Sequence, residues 1–178
     1  MKRNLLFALA ACCAAGVANA DEVRGMSFGV GLLDTTISMD DTDGDIGTNG
    51  FKVFGAYRFS RNVAVELAYM DGGEERQSDG VFSAELGTNA LQASVLATWP
   101  IGDTFALYGR LGLMDWDVDV SISDGVDTFS GTDSGNDLSY GLGAQLSFSR
   151  AQLRLEYEMA EMNIVDVELL SLSAAWLF

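Results

Sequence analysis

Apolar and polar residues alternate at every second position through most of this chain. In the last ten residues Leu170, Leu172, Ala174, Trp176 and Phe178 form one row, and Leu169, Ser171, Ser173, Ala175 and Leu177 form the other. The strictest case is Asp137–Phe148, where Leu138, Tyr140, Leu142, Ala144, Leu146 and Phe148 alternate with Ser139, Gly141, Gly143, Gln145 and Ser147. A two-residue period is the signature of a strand with unlike faces. The same pattern appears in Ser27–Leu33, Phe51–Phe59, Val63–Met70, Asn89–Trp99, Thr104–Val118 and Gln152–Met159. With the terminal segment, this predicts eight strands.

The connections alternate in length. Asp34–Gly50, Asp71–Gly87 and Asp119–Asn136 read as long polar loops, whereas Ser60-Arg61-Asn62, Pro100-Ile101-Gly102-Asp103 and Ser149-Arg150-Ala151 read as tight turns. An antiparallel meander with short turns at one end and long loops at the other is the layout of a transmembrane barrel. The predicted fold is therefore all-β: an eight-stranded antiparallel up-and-down transmembrane β-barrel. A soluble ligand-binding calyx has the same strand number with the faces exchanged. Here the minority face holds Gly, Ser, Gln, Thr, Arg and Glu, which suits a narrow packed interior better than a greasy pocket. Phe59, Trp99, Phe105, Phe148, Trp176 and Phe178 fall beside short turns or at the terminus, as membrane-interface aromatics do. Tyr69 and Tyr140 lie towards the other end. The acids keep to the predicted loops: Asp40, Asp41, Asp43, Asp45, Glu74, Glu75, Asp79, Asp124, Asp127 and Asp133.

Several segments resemble the OmpA-type eight-stranded outer-membrane barrel. They are Tyr57-Arg58-Phe59 through Val65-Glu66-Leu67-Ala68-Tyr69, Tyr108-Gly109-Arg110-Leu111-Gly112, Arg154-Leu155-Glu156-Tyr157, and the ending from Leu170 to Trp176-Leu177-Phe178. The resemblance spans residues 21–178 and implies a bacterial outer-membrane location, with export through the periplasm. It implies an interior polar network of Glu66, Arg110, Arg154 and Glu156, with Leu96 and Gln145 where the family carries two further charges. It also implies that Phe178 is read by the outer-membrane assembly machinery. Peptidoglycan tethering is not implied.

Composition refines this. Lys2 and Arg3, the apolar run Leu5–Val17 and Ala18-Asn19-Ala20 form a secretory signal over residues 1–20, with cleavage expected before Asp21. Leu9-Ala10-Ala11-Cys12 also reads as a lipoprotein cleavage box, a reading that leaves Ala18-Asn19-Ala20 without a role. Both cysteines, Cys12 and Cys13, precede that cleavage point, so no disulfide is expected in residues 21–178. Of 10 basic residues two lie in the signal, which leaves 8 against 26 acidic ones and a net charge of −18. Nucleic acid is a poor partner for such a chain. Lipid and lipopolysaccharide of the outer membrane are the expected surroundings, with the protein a monomer.

The chain has no histidine, hence lacks the commonest general base and transition-metal ligand. Glu66, Arg110, Arg154, Glu156 and Glu158 invite a catalytic or conducting reading, but a neutralised polar core is the plainer one. Asp41-Thr42-Asp43-Gly44-Asp45 resembles a calcium loop until Ile46 and Lys52 replace the required glycine and acid. No cofactor, metal or catalytic residue is expected. The favoured function is a structural or surface-interaction barrel with a plugged polar interior and acidic extracellular loops. The alternative is a small porin-like channel, with a rim-located lipid-modifying enzyme third.

Overall fold

Eight strands close on themselves, each antiparallel to its neighbours. They are β1 (Gly25–Met39), β2 (Ile46–Arg58), β3 (Val63–Asp79), β4 (Phe82–Ile101), β5 (Phe105–Ser123), β6 (Thr128–Phe148), β7 (Ala151–Met162) and β8 (Val165–Leu177). The structure is a computed structural model that describes residues 25–39, 46–79, 82–123, 128–162 and 165–178. The expected signal over 1–20, the Cys12 box and the Asp41–Asp45 loop lie outside the described residues. The seam is a full ladder: β1 pairs with β8 from Ser27↔Leu177 to Met39↔Val165.

The alternation sorts the side chains as a barrel requires. On β8, Leu169, Ser171, Ser173 and Ala175 are buried inside, while Leu170, Leu172 and Trp176 point outward and are exposed. Leu32 at 72%, Leu142 at 73% and Trp99 at 75% exposure belong to a continuous apolar outer surface, far beyond what a water-soluble monomer presents. That surface is stable only in contact with hydrocarbon.

The strands are unequal. β4 and β6 run for 20 and 21 residues, β7 and β8 for 12 and 13. Pairing of β2 with β3 stops at Phe51↔Asp71, but β3 follows β4 on to Asp79↔Phe82. Pairing of β6 with β7 stops at Ser139↔Ala160, but β6 follows β5 to Ser123↔Thr128. Strands β3 to β6 therefore continue as a four-stranded wall past the points where β2 and β7 part from it, about 25 Å along β3 at ~3.3 Å per residue, while β1 stays paired with β2 to Ile37↔Ile46 and with β8 to Met39↔Val165. A β-bulge between Asp71 and Gly73 marks the departure point. Gly73 has φ 82° there, and its N–H donates to Asp71 Oδ1 at 2.9 Å. Such a bulge bends and twists the strand that carries it.

The wall corrects the loop boundaries expected from sequence. Much of the segments Asp71–Gly87 and Asp119–Asn136 is strand, and β5 reaches Ser123 rather than ending near Val118. On β5 the alternation inverts as it leaves the barrel. Leu107 and Leu111 point outward, then Asp115, Asp117 and Asp119 do; Arg110 points inward, then Trp116 and Val118 do.

Glycines opposite aromatics tighten the sheet. Gly29 faces Phe54, Gly55 faces Phe28, Gly143 faces Tyr108 and Gly135 faces Trp116. In each case the ring occupies or borders the space a Cβ would take. Phe28 and Phe54 do this reciprocally, one outside the barrel and one inside.

Candidate functional site

The barrel interior is stacked in layers. Nearest the short turns, Ala64, Leu96 and Tyr108 form one buried group, and Phe54, Ala68 and Ala175 a second. The charges sit beside and above them, with Glu66 between Ala64 and Ala68 on β3. Towards the long-loop end, Leu33, Met70, Ala90, Met114, Ala160, Val167 and Leu169 form an apolar layer with Trp116 packed against it. This layer adds apolar bulk to the polar interior expected from sequence.

The charged layer draws Lys52 from β2, Glu66 from β3, Arg110 from β5, and Arg154, Glu156 and Glu158 from β7. All are buried. Inward residues of one strand recur at i, i+2 and i+4, which is why β7 delivers three charges to one place. Arg154 Nη1 donates to Glu66 Oε2 at 2.5 Å, and its Nη2 to Glu156 Oε2 at 3.1 Å. Its guanidinium lies 4.6 Å from the Phe54 ring centroid and 4.9 Å from that of Tyr108. Lys52 Nζ donates to Glu156 Oε1 at 2.5 Å and stands 3.5 Å from Glu66. Arg110 donates to Glu156, to Glu66 at 3.2 Å, to Gln92 Oε1 at 2.7 Å and to Ser94 Oγ at 2.8 Å, and lies 3.3 Å from Glu158. The Tyr108 hydroxyl donates to Glu156 Oε2 at 2.7 Å. Gln92 Nε2 donates to Glu158 and, at 2.6 Å, to Ser139 Oγ. Three cations thus meet three carboxylates.

Isolated buried charges are very costly, and pairing plus hydrogen bonding is what makes them tolerable. Every carboxylate here faces at least one cation.

The structure brings Glu66, Arg110, Arg154 and Glu156 together at these distances. Leu96 and Gln145 are also buried in the interior. Lys52, Tyr108 and Gln92 complete the cluster and were not singled out in the sequence. The available signal was their inward parity, shared with Phe54, Arg110 and Ser94 respectively. The six aromatics Phe59, Trp99, Phe105, Phe148, Trp176 and Phe178 lie at the short-turn end, Phe105 half-buried and Trp99 the most exposed. Phe59 stacks edge-on with Tyr57 at 4.9 Å between centroids, and Phe178 with Phe28 at 5.9 Å. Phe51 and Tyr69 meet at 6.3 Å further up the barrel.

At the base of the wall, Trp116 Nε1 donates to Asp137 Oδ2 at 2.6 Å across the β5–β6 pair. The outward row of Asp115, Asp117 and Asp119 follows directly above the apolar belt. Thr132 Oγ1 donates to Asp119 at 2.7 Å.

The family model for the outer membrane protein beta-barrel domain matches residues 5–178. The attachment invasion locus protein Ail of Yersinia pestis, solved with the heparin analogue sucrose octasulfate, superposes with a TM-score of 0.70 at 20% identity, over 87% of this chain and 99% of that one. Neisserial surface protein A follows with a TM-score of 0.65 at 13% identity, over 86% and 97%. The N-terminal barrel of Pseudomonas aeruginosa OprF gives 0.55 at 12% identity, over 84% and 97%. Among curated proteins no sequence matches this one.

Proposed function

This chain belongs to the outer membrane protein beta-barrel domain family, and from that premise we propose that it acts at the cell surface through its wall, with a barrel closed to solutes. It is an outer-membrane β-barrel, and its neighbours in fold are eight-stranded barrels of the same membrane. The observation that carries the surface reading is the continuation of β3 to β6 beyond the rim. A structural barrel needs strands only as long as the membrane is thick, ~9–11 residues each. Strands of 19 to 21 residues add a sheet that hydrocarbon does not require.

The closed interior is supported by the layering. Ions passing the charged layer would still meet Leu33, Met70, Met114, Val167 and Leu169. An eight-stranded barrel has room for little besides its own side chains. The absence of histidine, together with the mutual neutralisation of the buried carboxylates, supports a non-enzymatic role.

The neighbour's polysulfated ligand does not carry over readily. Among the described side chains of the wall there is no Lys or Arg, while Asp115, Asp117, Asp119 and Asp133 are exposed. A neutral or basic partner suits such a surface better than a sulfated saccharide.

Two measurements test this. Purified protein in planar bilayers should show no steady conductance; a reproducible open level would favour the porin-like alternative. Cells displaying the protein should adhere to surfaces coated with basic protein and not to heparin. Shortening the β3–β4 and β5–β6 hairpins by four residues per strand should abolish that adhesion. Undiminished adhesion would remove the wall from the function.

A further inference from the structure

One glycine in the apolar belt has no partner that explains it. Gly29, Gly55, Gly143 and Gly135 each lie against an aromatic ring, Gly31 against Ser173, Gly112 against Ser94, and Gly141 against Glu158. At Gly109 an added Cβ would meet only Leu142 Cδ2 at 3.8 Å and the Gly141 carbonyl at 3.9 Å, ordinary contact distances. Its φ is not in the left-handed region. Glycine within a strand is unfavourable, and where the fold does not demand it, it commonly marks close approach by something outside the chain.

A cavity of about 790 Å³ lies over this position on the outward face. Gly109 and Ala97 are its floor; Val95, Leu111, Leu142, Tyr140, Tyr157 and Met159 are its walls. Its volume falls in the ~300–1,000 Å³ range of small-molecule clefts. The lining is almost wholly apolar.

We propose that this groove seats one acyl chain of an outer-leaflet lipid, in the manner of a fixed binding site rather than passing solvent. The membrane itself supplies the occupant, since a void of this size cannot stay empty against hydrocarbon. The groove also has a direction. Its lining rises from Ala97 and Gly109 through Leu142 to Tyr140 and Met159, away from the short turns, and includes neither Trp99 nor Leu107, which lie next below on β4 and β5. A chain entering from the long-loop side would pass between Tyr140 and Met159 and end over Gly109. A second copy of the protein is the poorer occupant. A stable specific interface buries on the order of 1,200 Å² or more, and the ten residues of this concave patch offer a small part of that.

The test is native mass spectrometry of the whole protein, released from bilayers that contain lipopolysaccharide and phosphatidylethanolamine. The wild type should retain one lipopolysaccharide per barrel. Gly109→Leu, which fills the groove and has room to do so, should lose it at least tenfold. Val53→Leu, a similar outward change on β2, should retain it. The proposal is overturned if Gly109→Leu retains lipid as the wild type does. It is equally overturned if phosphatidylethanolamine is the lipid lost, which would mean an inner-leaflet chain, or if a dimer disappears in its place. This readout is independent of adhesion and conductance, so the groove and the wall stand or fall separately.

Discussion

Arg154 reaches across the barrel to Glu66, 88 residues earlier in the chain, and holds it at 2.5 Å with its guanidinium between the rings of Phe54 and Tyr108. Neither strand is a neighbour of the other, so the contact forms only when the barrel has curled shut. Removing one partner of a buried pair leaves an uncompensated charge, at a cost of about 3–5 kcal/mol. Arg154→Met should therefore lower the unfolding free energy by that amount in urea titrations followed by gel mobility. Arg154→Met with Glu66→Gln should recover part of it. A single variant within 0.5 kcal/mol of wild type, by the same order-of-magnitude scale, would mean the pair is slack.

The apolar layer makes a separate prediction about conduction. Replacing Met70, Met114 and Leu169 together by glycine removes the bulk of that layer and leaves the charges untouched. Bilayer recordings should then show openings absent from the wild type. Silence in the triple variant would place the block in the charged layer instead.

Glycines beneath aromatic rings should not tolerate side chains. Gly143→Val drives a branched group into the Tyr108 ring, and overpacking of this kind costs about 1–3 kcal/mol. Gly29→Val should behave alike against Phe54. Thermal unfolding in detergent measures both, and an unchanged midpoint would contradict the packing described.

The β6–β7 turn holds Ser149 at φ 50°, a left-handed conformation that L side chains disfavour by about 1–2 kcal/mol. Ser149→Gly should stabilise the barrel by about 0.5–1 kcal/mol, since glycine's extra freedom in the unfolded chain offsets part of the relief. The check is the urea midpoint, which should rise.

Phe178 closes the seam: its N–H donates to the Met26 carbonyl at 2.8 Å and its ring meets Phe28 edge-on. Phe178→Ala should lower the heat-resistant folded fraction in cells more than it lowers stability of refolded protein in vitro. Equal losses in both would make the residue a packing element only.

Most of the barrel was legible because two environments imprinted one period on the sequence. Between Leu138 and Phe148 the outward row answers to lipid and the inward row to a narrow lumen, so the strand is unmistakable. Beyond the rim that contrast fades or reverses. Asp115-Trp116-Asp117-Val118-Asp119-Val120 still alternates, but with its polarity exchanged, and reads as the approach to a loop. Asp71-Gly72-Gly73 carries no apolar face at all; it is strand because β4 pairs with it. The charge cluster was legible through the family resemblance at Glu66, Arg110, Arg154 and Glu156. Lys52 was not, because its partner Glu156 is 104 residues away and no local pattern joins them. The apolar layer escaped for a similar reason: β1, β3 and β5 contribute Leu33, Met70 and Met114 as isolated residues, and no single strand shows the layer.

The barrel's length is set by the thickness of hydrocarbon it must cross, and the height of the wall is free of that constraint. Because its faces repeat every two residues, pairs of residues can be added to or taken from β3, β4, β5 and β6 without turning Trp116 outward or Asp115 inward, whereas single insertions would exchange the faces. The wall is thus a part whose length can change in even steps with the barrel below it left untouched.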